Sequence, residues 1–118
     1  MKALALALCL GSIALCHATE PTRIPVTSVK PLLLDALEKG EAHGTLTGRA
    51  AEAVRRRFKT ESPIDIDVIR TQPVDSAGCS RFEILTRQSQ VEESDKPADL
   101  ALRYQVSYCR DGRFPVRK

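Results

Sequence analysis

The chain has no tryptophan, one methionine, two tyrosines, three phenylalanines and two histidines among 118 residues. So few aromatics leave little material for a stacking platform or a large core, and so few histidines leave little for a metal cage. No run of about 18 to 20 apolar residues is present, which excludes a spanning helix of ordinary length. Nor is there an internal repeat, a low-complexity tract, a Gly-rich phosphate loop or a CxxC pair. Charge of neither sign dominates: 18 Lys and Arg against 15 Asp and Glu give a formal +3. That balance disfavours a polyanion, whether nucleic acid or an anionic membrane surface, as the main partner. A multidomain enzyme is excluded by length, and no cofactor is implied by any motif.

What is present begins with a leader. Met1-Lys2 precedes an apolar stretch from Ala3 to Cys16, and small side chains occupy the −3 and −1 positions of a cleavage site after Ala18. Residues 1–18 therefore read as a secretory signal peptide. Leu15 stands before Cys16, where a lipoprotein signal requires a small residue, so lipidation is not expected. Residues 1–18 hold 14 of the roughly 50 apolar residues, leaving about 36 for a single domain over residues 28–118, reached through a flexible arm at 19–27. The expected location is the periplasm or the exterior.

Export also changes the cysteine arithmetic. Cys9 and Cys16 leave with the leader, so Cys79 and Cys109 remain, 30 positions apart, in an oxidising compartment. A disulfide is the expected outcome. By the chain-entropy estimate it contributes about 3 to 4 kcal/mol.

The periodicity changes once along the domain. Ser28 can cap a helix over about 29–39, with Pro31 in its first turn, Leu33, Leu34 and Leu37 on one face and Gly40 ending it. Thr45 or Thr47 can cap a second helix reaching Phe58 or Lys59, with Leu46, Ala50, Val54 and Phe58 as its stripe. After Ser62-Pro63 the period becomes two. Strands are expected from Ile64, from Cys79 to Gln90, and from Ala98 to Cys109. Their apolar residues (Ile64, Ile66, Val68, Phe82, Ile84, Leu100, Leu102, Tyr104, Val106, Tyr108) are all even-numbered. Folding the last two strands so that partner numbers sum to 188 sets Phe82 opposite Val106 and Ile84 opposite Tyr104. The same register brings Cys79 opposite Cys109. The predicted fold is α+β: two N-terminal helices on one face of a three-stranded antiparallel meander, with one disulfide and an open second face.

Candidate sites are few. His43, at the predicted entry to the second helix beside Glu41 and Thr45, has the chemistry of a general base but stands more simply as a packed polar residue. Asp65 and Asp67 fall on one strand face about 7 Å apart. Arg81, Arg87 and Arg103 share that face, so cross-strand ion pairing accounts for them better than a metal or a carboxylate pair does. Arg55, Arg56, Arg57 and Lys59 form a basic cluster, fanned over about 200° of helix and diluted by Glu52 and Glu61. The tail from Arg110 to Lys118, including Arg113 and Phe114, is also basic. Arg55–Arg57 and the tail carry the alternative reading, a surface module contacting nucleic acid or anionic lipid.

Short motifs add a resemblance. His43-Gly44-Thr45-Leu46-Thr47-Gly48, Phe58, Pro63 to Val68, Gly78-Cys79-Ser80-Arg81 and Tyr108 to Gly112 resemble small exported proteins of unassigned function found with conjugative, type IV secretion gene sets in Gram-negative bacteria. The likeness covers roughly residues 40–115. It implies a periplasmic, accessory role in transfer and supplies no catalytic residues. Ala50 to Phe58 is also similar to the helix of TonB C-terminal domains. The expected function is a non-enzymatic accessory or interaction protein, binding an envelope protein through the open sheet face or edge.

Overall fold

The computed structural model describes residues 21–92 and 97–115. The leader expected over residues 1–18 lies outside them. In chain order the elements are β1 (Ile24–Val26), α1 (Lys30–Lys39), β2 (Glu41–Leu46), α2 (Arg49–Phe58), β3 (Ile64–Arg70), β4 (Cys79–Glu92) and β5 (Pro97–Cys109). The five strands lie in one sheet in sequence order, β1-β2-β3-β4-β5. All neighbours are antiparallel except β1 and β2, which are parallel.

The three-stranded meander with two helices ahead of it is therefore wrong: the sheet is five-stranded and mixed. Residues 41–46, expected as a helix entry, form β2, paired with β3 from Glu41↔Ile69 to Thr45↔Asp65. Ile24–Val26, expected within a flexible arm, form β1 through Ile24↔Gly44 and Val26↔Leu46. Helix α1 is the crossover that a parallel pair requires.

Gly44 shows why β2 does not announce itself. A Cβ built there would stand 2.9 Å from the Ile24 carbonyl oxygen and 3.0 Å from both Leu32 methyls. Helix α1 sits so close to the strand that Gly44 has no room for a side chain, and the other inward position before it, Ala42, is also small and buried. A six-residue strand then carries almost no hydrophobic alternation. β1 is only three residues long and has Pro25 at its centre, a residue tolerated on an edge because no ladder N–H is needed there.

Helix α1 begins at Lys30 with Pro31 in its first turn and stops at Gly40, whose φ of 95° is the left-handed cap conformation. The Gly40 N–H donates to the Ala36 carbonyl. Its buried face is Leu32, Leu33, Ala36 and Leu37, while Leu34 points to solvent. Helix α2 starts later than expected, after Gly48, and buries Ala51 alone. Ala50, expected in its stripe, is exposed.

The hairpin follows the predicted register. Cys79↔Cys109, Phe82↔Val106, Ile84↔Tyr104 and Gln88↔Leu100 all sum to 188, until an irregularity between Gln88 and Val91 shifts the pairing. The even-numbered face carries the core: Ile66, Val68, Phe82, Ile84 and Tyr108 pack with Val26, Ala42 and the buried face of α1. Coverage of that face is incomplete. Leu102 is 58% exposed and Tyr104 38%. Five strands at about 4.8 Å spacing span about 19 Å, whereas one helix is about 10 Å wide. Helix α1 supplies nearly all the helix-to-sheet packing and reaches β5 only at its Tyr108 end, so Leu102 and Tyr104 stay uncovered.

Candidate functional site

The odd-numbered face bears the main polar constellation. Strand alternation brings Glu41, His43 and Thr45 of β2, Asp65 and Asp67 of β3, Glu83 and Arg87 of β4, and Arg103 and Gln105 of β5 to this side. Asp67 is the hub. Its Oδ1 lies 2.7 Å from His43 Nδ1 and accepts from Arg23 Nη1 at 2.9 Å, while its Oδ2 accepts from Arg87 Nη2 at 2.9 Å. Arg23 Nη1 also reaches the carbonyls of Gly44 and Ile66, each at 3.4 Å. One guanidinium thus ties the start of β1 to its neighbour β2 and, beyond it, to β3.

Around this hub the pairs are local. Thr45 Oγ1 donates to Asp65 Oδ1 at 3.2 Å, and Arg103 Nη1 donates to Glu83 Oε1 at 3.0 Å. Arg81, expected to share in ion pairing, instead donates to the Gln105 carbonyl oxygen of the side chain and to the Ser107 hydroxyl. Glu41 Oε2 stands 3.8 Å from His43 Nε2.

His43 and Asp67 have the relative placement of a base and its orienter, and Thr45, the near hydroxyl, is spent on Asp65; among the described residues no hydrogen bond joins His43 to a serine, threonine or cysteine. His43 sits in a strand, not at a helix entry. Among the described residues no group of three or more His, Cys, Asp or Glu is placed to hold a metal ion.

Burial raises the Asp67 pKa, but hydrogen bonds from His43 and Arg23, and the charges of Arg23 and Arg87, outweigh it and hold the carboxyl below its usual 3.8. The stabilisation is present above the unfolded-state value and is lost as pH falls through the lower folded one. Asp67→Asn should therefore flatten the acid limb of the stability curve below about pH 4. It should also cost about 1–3 kcal/mol at neutral pH, because the amide loses the negative charge and sets an NH2 donor where one of the two accepting oxygens stood. Urea melts across the acid range check this. Asp111, held down chiefly by the backbone N–H of Arg113, is fully exposed, and Asp111→Asn should alter the same curve far less.

The basic helix is a separate locale. Arg56 and Arg57 are exposed and Arg55 half-buried, with its Nε out of water and without a hydrogen-bond partner. Arg57 lies over the Phe58 ring at 5.3 Å. Glu52 and Glu61 line the same open depression as Arg55, Arg56 and Lys59, so its charge is mixed. The basic tail docks as far as Pro115: the Cys109 N–H donates to the Arg113 carbonyl, Arg113 pairs with Asp111, and Phe114 lies 4.8 Å from Tyr108. Residues 116–118 of that tail lie outside the described ones. The Cys79–Cys109 disulfide closes this end of the hairpin.

Arg23 is the participant that sequence reasoning missed. Its link to Asp67 depends on the short β1 pairing, and no motif near it signals that. No family model matches the chain, and no curated protein or solved structure matches it. No described helix is long and apolar enough to cross a membrane.

Proposed function

We propose that the protein is a small exported, non-enzymatic interaction protein of the cell envelope that receives a protein partner on its open sheet face or edge. An accessory role in a conjugative or secretion apparatus is part of this reading and rests on the motif resemblance. One observation carries it: a five-stranded sheet has helix packing on its even face, while its odd face presents side chains already held by opposite charges, in the Arg23–Asp67–Arg87 and Arg103–Glu83 pairs. Side chains ordered before contact lose less entropy on binding, which favours a defined partner over a diffuse one. The disulfide and the leader support export. The basic helix weighs less as a nucleic-acid or lipid surface, because carboxylates interrupt its charge.

Photo-crosslinking tests the reading. A crosslinker placed at Gln105 on the open face should trap one discrete protein adduct in envelope extracts, and Arg103→Glu should abolish it. The same crosslinker at Leu34, on the exposed back of α1, should trap none. Indistinguishable adducts from the two positions would overturn the proposal, as would substrate turnover abolished by His43→Ala.

A further inference from the structure

The two edges of the sheet are unlike. β1 is three residues long with a central proline, a blunted edge. β5 is thirteen residues long, has no proline after Pro97, and alternates Leu100, Leu102, Tyr104 and Val106 along one face. A long, apolar, unprotected edge is a template for another strand.

The backbone fixes which groups this edge offers. The Cys109 N–H and C=O both bond outward, to Arg113 and Gly112, and not to β4. In an antiparallel ladder outward residues recur every second position. Gln105, Arg103, Ala101 and Asp99 therefore present their N–H and C=O to the open side. The tail flanks the far end of the strand, with Phe114 and Pro115 beside Gln105 to Ser107. Among the described residues the stretch left uncovered is 99–105, and its midpoint is Leu102, the most exposed large apolar residue described.

We infer that this edge pairs with the same edge of a second copy, antiparallel about a two-fold axis at Leu102, joining two sheets into one of ten strands. This deepens the interaction reading for the edge alone. In this register partner numbers sum to 204. Ala101 exchanges backbone bonds with Arg103 of the second copy, and Asp99 with Gln105. On the even face Leu102 meets Leu102, and Leu100 meets Tyr104. Both bare apolar stripes then merge on one side of the joined sheet, which removes from water surface that α1 leaves open. On the odd face Arg103 lies across from Ala101, with Asp99 of the second copy next along the strand, so no like charges stand directly opposite. Centring the axis on Arg103 instead would oppose two guanidinium groups and run the pairing into the tail.

The geometry makes the test specific. With Cys9 and Cys16 replaced by serine, Leu102→Cys should oxidise rapidly to a covalent dimer, because the two positions face each other at cross-strand distance. Tyr104→Cys, opposite Leu100, should crosslink at least tenfold more slowly. Sedimentation should show a dimer for the unmodified protein. Ala101→Pro removes only an outward N–H and should raise its dissociation constant at least tenfold while the thermal melt stays cooperative. A monomer up to several hundred micromolar, equal crosslinking at 102 and 104, or a dimer indifferent to Ala101→Pro would each overturn the inference. The crosslink from Gln105 to a different protein would survive a monomeric result, so the two readings fail separately.

Discussion

Replacing Cys79 by serine should lower the melting temperature by roughly 15 to 25 °C. The bridge joins residues 30 apart in sequence, and restricting the unfolded chain by a loop of that size is worth about 3 to 4 kcal/mol. In a domain of about 100 residues each kcal/mol shifts the midpoint by about 4 to 8 °C. The native side of the balance adds to this. Cys109 is fully buried, and the tail closes over it through the Arg113 carbonyl, so severing the bond also frees the end of the hairpin on which the tail rests. Cys109→Ser and the double substitution should fall to the same midpoint, as should the unmodified protein in reductant. Mass spectrometry of material from the oxidising compartment should find both thiols consumed. A midpoint within a few degrees of the unmodified protein, or two free thiols, would mean that the bridge is not the staple of this fold.

The bridge is also where sequence reasoning reached furthest. Parity alone gave the faces of β3, β4 and β5, because Ile64, Ile66, Val68, Phe82 and Ile84 are large and alternate with charges. Matching the apolar residues across the hairpin gave the β4–β5 register, the two cysteines agreed with it, and it holds through Gln88↔Leu100. The same method failed on β2 for a physical reason. Its inward residues, Ala42 and Gly44, are small, and at Gly44 Leu32 and the Ile24 carbonyl leave no room for a Cβ. Close packing erased the hydrophobic signal that periodicity depends on. A glycine between two polar residues reads as a break, so Thr45, like Thr47, reads as a candidate helix cap, whereas it pairs with Asp65. Missing β2 then hid β1, which has no other strand to join, and with β1 the anchoring of Arg23 on Asp67. Arg87 and Arg103 were legible because each meets its carboxylate within strands that parity had placed. Helix α2 failed differently: of the expected stripe Leu46 lies in β2 and Ala50 is exposed, Val54 and Phe58 are only half-buried, and the one buried residue, Ala51, was not in it, so amphipathic spacing overstated its packing.

That overstatement has a measurable consequence along the even face. Phe82→Ala should cost about 3 to 5 kcal/mol, the usual loss for a fully buried phenylalanine, and so about a third or more of the stability of a small domain. Phe82 is completely buried, between Arg70 of β3 and Val106 of β5 in the ladder, in the cluster that includes Leu33, Leu37 and Tyr108. Truncation leaves a cavity under α1 that a helix tied at both ends to strands, through β1 and β2, cannot collapse to fill. Leu102→Ala lies on the same sheet face and in the same hairpin, yet its side chain already meets water over more than half its area. It should cost under about 1 kcal/mol in the monomer, in proportion to the little apolar surface it buries there. Urea unfolding at a protein concentration low enough to keep the chain monomeric separates the two, with the slope unchanged if the transition stays two-state. Equal losses at Phe82 and Leu102 would mean that something covers the β5 side as α1 covers the rest. A large loss at Phe82 alone places the boundary of the core within β5, between the buried Tyr108 and the exposed Tyr104 and Leu102.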